Sequence, residues 1–176
     1  SVAGHSLGEY SALVANNSLS FEDSVKLLIV RSEAMQKSMP IGTGGMAAVL
    51  GQSEDLILNI IEKLKIYGKL FIANDNADGQ IVLSGEISAI DYLCENAKTL
   101  GVKRAIKLPV SAPFHCKLMR NATIKMENII NQQKLNFPKV KVVSNVTATE
   151  YKDTDEIKKL LIKQIESPVR WRESIE

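Results

Sequence analysis

Apolar residues recur along the chain with two periods, and the period predicts the type of each secondary-structure element. Spacings of three and four residues predict amphipathic helices over 7–14, 20–39, 53–64, 88–100, 117–132 and 154–165. Short apolar runs bounded by Gly, Pro, Asn or Asp predict strands over 46–50, 70–73, 80–84, 103–108 and 139–144. The predicted helices and strands are therefore mixed along the chain, which indicates an α/β protein.

The second predicted helix carries a cap and a charged residue on its apolar side. Ser20 and Asp23 have the spacing of a capping box, so the helix should begin there. Its expected buried face consists of Val25, Leu28, Ile29, Met35 and Met39. Arg31 projects close to this face, where its guanidinium either snorkels to the edge of the core or points into a pocket.

The segment 42–108 has the element order β-α-β-β-α-β, which is the order of a ferredoxin-like unit. Its two middle strands, 70–73 and 80–84, are expected to be joined by the polar loop Asn74–Gly79. We interpret 42–108 as a small domain inserted into a larger one, which comprises 1–41 and 109–176.

The stretch from Gly4 to Gly8 fits G-x-S-x-G, the pattern of a nucleophile elbow in which Ser6 stands on a sharp turn from strand to helix. Glycine suits both ends because such a turn leaves little room for side chains. The alternative is a glycine-rich turn without chemistry. Only Ser1–Ala3 precede the motif, so we expect the strand leading into it, and earlier strands, to lie in sequence not shown.

The two histidines have different prospects as a base for Ser6. His5 is adjacent to Ser6 along the chain, so it cannot readily face the hydroxyl, and a packing role is expected. His115 lies in a loop with two prolines and could be brought to Ser6 by the fold, since imidazole exchanges protons near neutrality. The alternative is a core or surface histidine. Cys116, next to His115, is interpreted as a small buried hydrophobe.

Composition narrows the function classes. The 176 residues are 45% hydrophobic and 24% charged with a net charge of +2, which gives no general case for nucleic-acid binding. No apolar run reaches the roughly 18 residues of a membrane span, and no membrane partner is expected. The two cysteines form neither a disulfide framework nor a zinc motif, and the carboxylates show no metal-ligand spacing. We expect a cytoplasmic protein with no metal and no bound cofactor.

Five motifs together resemble the malonyl-CoA:acyl carrier protein transacylase family of bacterial-type fatty-acid synthesis. They occur in the family's order over nearly the whole chain: GHSLGEY at 4–10, VRSEAMQ at 30–36, GTGGMAAV at 42–49, VSAPFH at 110–115 and SPVRW at 167–171. The resemblance implies an incomplete α/β-hydrolase-like large domain, 1–41 and 109–176, with an inserted ferredoxin-like domain, 42–108. The chain would be a central fragment that lacks the N- and C-terminal parts.

The resemblance also implies an activity and three site residues. Malonyl would move from coenzyme A, whose thioester is the substrate, to the phosphopantetheine thiol of acyl carrier protein. Ser6 would be the nucleophile that carries a malonyl ester, and His115 its base and later acid. Arg31 would bind the free carboxylate of the malonyl group.

Further substrate contacts follow from the same resemblance. The Leu7 N–H would be one oxyanion donor, and Met35 and Asn76 would line the acyl pocket. Phe114 resembles the residue of malonyl-selective relatives, where its ring would crowd a branched methyl group. The second oxyanion donor and a glutamine that supports the histidine are expected to lie outside these 176 residues.

The expected partners are malonyl-CoA and an acidic acyl carrier protein, bound by a monomer. A basic docking face would then include Lys103, Arg104, Lys107, Lys117 and Arg120. Two alternatives remain. A serine hydrolase or thioesterase would leave Arg31 without a purpose and would need a carboxylate beside His115, and an inactive fragment would form no acyl-enzyme.

Overall fold

All 176 residues are described by a computed structural model. The elements, in chain order, are α1 (Gly8–Ala15), α2 (Phe21–Gln36), β1 (Gly44–Leu50), α3 (Glu54–Leu64), β2 (Leu70–Ala77), β3 (Gln80–Glu86), α4 (Ile87–Glu95), β4 (Arg104–Lys107), a 3₁₀ turn (Lys117–Met119), α5 (Arg120–Asn131), α6 (Thr154–Gln164), β5 (Val169–Arg170) and α7 (Trp171–Ile175). The fold is α/β, and no helix combines the length and apolar character that a membrane span requires.

One five-stranded mixed sheet has the strand order β4-β1-β3-β2-β5. The four strands from 42–108 pair antiparallel, whereas β5 adds to β2 in parallel through Asn74–Val169 and Asp75–Arg170. The element order β-α-β-β-α-β that the sequence predicts over this segment is the order observed. The parallel pair brings the end of the chain, residues 169–176, to the edge of this sheet.

Buried apolar side chains form two main clusters. The first is formed by α1, α2, α5 and α6, with Leu13, Leu27, Met126 and Leu161 among its buried members. The second lies between the antiparallel strands and helices α3 and α4. Phe114 packs both against the first cluster and against a small third one on strands β1, β2 and β3, so it lies at the seam between the helical cluster and the sheet.

Helix α2 begins as predicted but buries a different face. The Asp23 N–H donates to Ser20 Oγ over 3.0 Å, and the Ser20 hydroxyl donates to Asp23 Oδ2 over 2.7 Å. Val25 and Ile29, expected to be buried, are 40% and 54% exposed. The buried stripe is Ser24, Leu27, Arg31, Ala34 and Met35. The prediction is right for Met35 and wrong for Val25 and Ile29, because it counted apolar positions only, whereas this helix turns a serine and an arginine inward.

The predicted loop Asn74–Gly79 is largely strand. β2 continues to Ala77, and Asp78-Gly79 alone forms the turn to β3, with Gly79 at a φ of +67°. An Asp-Gly pair suits a two-residue hairpin whose backbone needs positive φ. The polar residues before it stay in the strand because β5 pairs with them on the other side.

Two further boundaries differ from the prediction. Helix α4 ends at Glu95 instead of continuing to 100, where the Asn96 side chain donates to the Tyr92 carbonyl over 3.0 Å. The segment 139–144 forms no full strand. It makes a short parallel ladder with Val2, whose N–H donates to Lys141 O over 2.8 Å and whose carbonyl accepts from Val143 N over 3.0 Å.

Candidate active site

Ser6 stands on a strained turn between the short ladder at Val2 and helix α1. Its φ is +54°, in the left-handed region that L-residues rarely adopt. A Cβ at Gly4 would lie 1.9 Å from the Gly8 carbonyl oxygen, so only glycine fits there. A Cβ at Gly8 would have no neighbour within 4 Å, so the expectation that both glycines are needed for space is wrong for Gly8.

Asn145 fastens this turn from a distant loop. Its Oδ1 accepts from the Ser6 N–H over 2.7 Å, and its Nδ2 donates to the Gly4 carbonyl over 2.9 Å. The residue is fully buried. Because the two bonds reach both sides of the turn, they stabilise the positive φ of Ser6, which costs on the order of 1–3 kcal/mol by itself.

His115 meets Ser6 across the fold. Its Nε2 lies 2.7 Å from Ser6 Oγ, and its Nδ1 lies 3.0 Å from the main-chain oxygen of Gln164. A carbonyl only accepts, so Nδ1 carries the proton and Nε2 is free to accept from the Ser6 hydroxyl. The geometry is that of a serine and its general base.

The imidazole of His115 is neutral at physiological pH. Burial and the nearby charge of Arg31 lower its pKa from 6.5 to about 3. A neutral imidazole can accept the Ser6 proton, and it returns that proton readily because its charged form is disfavoured.

Arg31 reaches the same serine from helix α2. Its Nη2 donates to Ser6 Oγ and to Gln164 Oε1, each over 3.0 Å. The side chain is buried, which lowers the pKa of the guanidinium, and Nε has no hydrogen-bond partner. The guanidinium therefore does not snorkel to solvent. It is a buried cation whose acceptors are both neutral oxygens.

Gln164, the last residue of α6, is hydrogen-bonded to Ser6, His115 and Arg31. Besides the bonds to His115 and Arg31, its Nε2 donates to the Ser6 carbonyl over 3.0 Å. The expectation that the glutamine supporting the histidine lies outside the chain is therefore wrong. The sequence offered one signal, since Gln164 follows Ile157, Leu160 and Leu161 on the buried face of α6.

Glu9 lies fully buried behind the site, in the first turn of α1. It accepts from the Tyr151 hydroxyl, from Gln164 Nε2 over 2.5 Å and from the Asn145 N–H over 3.2 Å. Burial raises its pKa from 4.5 to about 7, although these three donors oppose the rise. Sequence reasoning gave no role to Glu9, Asn145 or Tyr151.

The other predicted site residues lie around this centre. The Leu7 N–H precedes α1 and donates to no acceptor in the chain, so it remains available to a ligand. Met35 is buried one turn after Arg31, and Phe114 lies at the seam with its carbonyl bonded to the Ser84 hydroxyl. Asn76 lies in β2, where its Oδ1 is 2.9 Å from His5 Nε2.

His5 and Cys116, to which no catalytic role was assigned, are both packed against other parts of the protein. His5 packs edge to face on Trp171 with ring centroids 5.3 Å apart, as its predicted packing role requires. Cys116 is buried, and burial raises the pKa of its thiol to about 12, so it stays protonated.

A mostly apolar cavity of about 300 Å³ borders His115 and Cys116 beneath α3 and β2. No group of three or more His, Cys, Asp or Glu residues is placed to hold a metal ion.

Comparisons with known proteins agree on one family. The family model of the acyl transferase domain matches residues 1–176. The malonyl CoA-acyl carrier protein transacylase of Bacillus subtilis is 44% identical over 174 residues, 98% of this chain and 55% of that protein. The protein of the same name from Haemophilus influenzae is 38% identical over 175 residues, 99% of this chain and 56% of that protein. The chain thus spans about half the length of these curated relatives.

Solved structures give the same picture. The acyl-carrier-protein S-malonyltransferase of Burkholderia pseudomallei superposes with a TM-score of 0.94 at 41% identity, over 99% of this chain and 57% of that one. A malonyl-transacylase solved in complex with a type II PKS acyl-carrier protein gives a TM-score of 0.91 at 35% identity, over 96% of this chain and 55% of that one.

Proposed function

Since this chain belongs to the acyl transferase domain family, we propose that the protein containing it moves malonyl from coenzyme A to the phosphopantetheine thiol of acyl carrier protein. The observation that carries this proposal is Arg31, a buried cation bonded to Ser6 Oγ with no carboxylate among its partners. A malonyl thioester brings the missing carboxylate to the serine.

The first half-reaction acylates Ser6. Its Oγ attacks the thioester carbonyl while His115 Nε2, 2.7 Å away, takes the hydroxyl proton. The Leu7 N–H donates to the oxyanion that forms. Collapse of this intermediate breaks the C–S bond, and the coenzyme A sulfur leaves with the proton from His115. Malonyl remains as an ester on Ser6.

The second half-reaction runs the same steps in reverse with a new thiol. His115 takes the proton of the phosphopantetheine thiol, and the sulfur attacks the malonyl ester. The ester C–O bond breaks, and Ser6 Oγ recovers the proton from His115. No group in the chain is consumed, so no cofactor is required beyond the coenzyme A thioester that serves as substrate.

Arg31 accounts for selectivity toward a carboxyacyl group. A guanidinium presents paired donors that match a carboxylate, and Nε and Nη2 already lie at the site. An acetyl group leaves the buried charge unpaired, at a cost of about 3 kcal/mol. That difference corresponds to roughly 100-fold in rate at equal concentration.

The proposed function extends to the acyl pocket and to the domain organisation. We assign Met35, Phe114 and Asn76 to the walls of the acyl pocket. The two apolar clusters and the order β4-β1-β3-β2 support a ferredoxin-like domain, 42–108, inserted into an α/β-hydrolase-like domain, 1–41 and 109–176. Phe114, at the seam, supports a substrate gorge between the two.

The partner and cellular setting are part of the proposal. Acyl carrier protein occurs in the names of the relatives and in the complex noted above. We assign the protein to fatty-acid biosynthesis in the cytoplasm, acting as a monomer. A hydrolase is disfavoured because His115 Nδ1 is bonded to the Gln164 carbonyl and not to a carboxylate.

Acylation of the full-length protein tests the proposal. After mixing with malonyl-CoA, mass analysis of peptides should find malonyl on Ser6, and added acyl carrier protein should remove it. Rapid release of free malonate without carrier protein would support a hydrolase instead. Absence of any adduct on the folded full-length protein would contradict the proposed function.

A further inference from the structure

We propose that Glu9 is a positioning residue that orients the side-chain amide of Gln164, so that Oε1 faces Arg31 and holds the guanidinium beside Ser6. This inference rests on the proposed malonyl transfer. It concerns a carboxylate that touches neither Ser6 nor His115 and that has no part in the proton transfers described above.

The amide of Gln164 has two ends with different surroundings. Its Oε1 accepts from Arg31 Nη2 over 3.0 Å, and its Nε2 donates to Glu9 Oε2 over 2.5 Å and to the Ser6 carbonyl over 3.0 Å. A third acceptor, Asn145 Oδ1, lies 3.4 Å from Nε2. In the reversed orientation, NH₂ would face the donor Nη2 and the oxygen would face three acceptors. The reversed amide would thus lose all of these bonds.

Glu9 is the one acceptor at Nε2 that can carry a negative charge. The Ser6 carbonyl is a neutral acceptor, whereas ionised Glu9 forms a charge-assisted bond of roughly twice the strength. Glu9 is itself fixed by the Tyr151 hydroxyl and the Asn145 N–H. Three donors on its two oxygens match the carboxylate form.

The same contacts make the orientation sensitive to pH. The titratable or charged groups around Glu9 are Tyr10 on α1, Arg31 on α2 and Tyr151 on the loop before α6. Burial raises the pKa of Tyr10 to about 12 and raises that of Tyr151 well above its ordinary value, so both stay neutral. Glu9, with a pKa of about 7, is the group that titrates near neutrality, and its bond to Gln164 weakens below that pH.

Glu9→Gln in the full-length protein tests the inference, with Glu22→Gln, an exposed position on α2, as the matched control. The readouts are kcat and KM for malonyl-CoA and acetyl-CoA between pH 5.5 and 8.5. We expect Glu9→Gln to raise KM for malonyl-CoA about tenfold, to change acetyl transfer little, and to remove a step near pH 7. Glu22→Gln should match the wild type.

A second variant, Tyr151→Phe, tests the inference independently in case Glu9→Gln does not fold. Tyr151→Phe leaves the carboxylate but removes a donor that lowers its pKa, so the pH step should move upward while the preference for malonyl remains. A Glu9→Gln protein that folds and keeps the wild-type KM, preference and pH profile would overturn the inference, as would an unmoved step in Tyr151→Phe. Failure of the proposed function is separate, since wild-type protein would then form no malonyl-Ser6.

Discussion

Arg31 Nη2 lies 3.0 Å from Ser6 Oγ, although the two residues are 25 positions apart, one on helix α2 and the other on the turn before α1. The serine hydroxyl can donate to His115 Nε2 while its oxygen accepts from Arg31. Nucleophile, base and cation therefore form one hydrogen-bonded row before any substrate arrives. The proposed reaction uses each in turn, and the cation distinguishes this site from a simple serine and histidine pair.

The two glycines of the elbow should respond differently to the same substitution. Gly4→Ala would bring a Cβ within 1.9 Å of the Gly8 carbonyl, so the turn must open, and acylation should be lost with several degrees of melting temperature. Gly8→Ala meets no neighbour at the first position of α1, so it should leave the melting temperature near the wild-type value. Thermal unfolding of both full-length variants measures this contrast, and equal destabilisation would contradict the geometry.

Some of the site and some of the fold can be predicted from the sequence alone. The local G-x-S-x-G pattern nominates Ser6 as a nucleophile, whereas the roles predicted for Arg31 and His115 come from the resemblance of five motifs to a known family. The element order β-α-β-β-α-β of 42–108 is predictable from local sequence, since each element carries its own periodicity and its own turn residues.

The residues that support the site were not identifiable in this way. Asn145 and Gln164 are bonded to Glu9 across 136 and 155 positions, and the local sequence around each residue does not indicate its partners. The buried face of α2 was misjudged for a related reason. A burial pattern based on apolar residues cannot anticipate that Ser24 and Arg31 are turned inward, because their partners lie elsewhere in the chain.

The histidine should leave a signature in the pH dependence of stability. Its pKa is about 3 in the folded protein and 6.5 ordinarily, so the unfolded chain binds the proton more readily. The free energy of unfolding should therefore decrease as pH falls from about 6.5 toward 3. Urea unfolding of wild type and His115→Gln at pH 7 and pH 5 measures this, and the variant should lose less stability over that interval. Parallel losses in both proteins would show that His115 is not held neutral.

The central claim is that Arg31 makes the Ser6 site selective for a carboxyacyl group. The most direct measurement is the ratio of kcat/KM for malonyl-CoA to that for acetyl-CoA in full-length wild type, Arg31→Ala and Arg31→Lys, read as acyl-Ser6 formation by mass. We predict that Arg31→Ala lowers the ratio roughly 100-fold, mainly through loss of malonyl transfer, because about 3 kcal/mol of charge pairing disappears. Arg31→Lys should fall between the two, since it keeps the charge but loses the paired donors. A folded Arg31→Ala protein with the wild-type ratio would contradict the account.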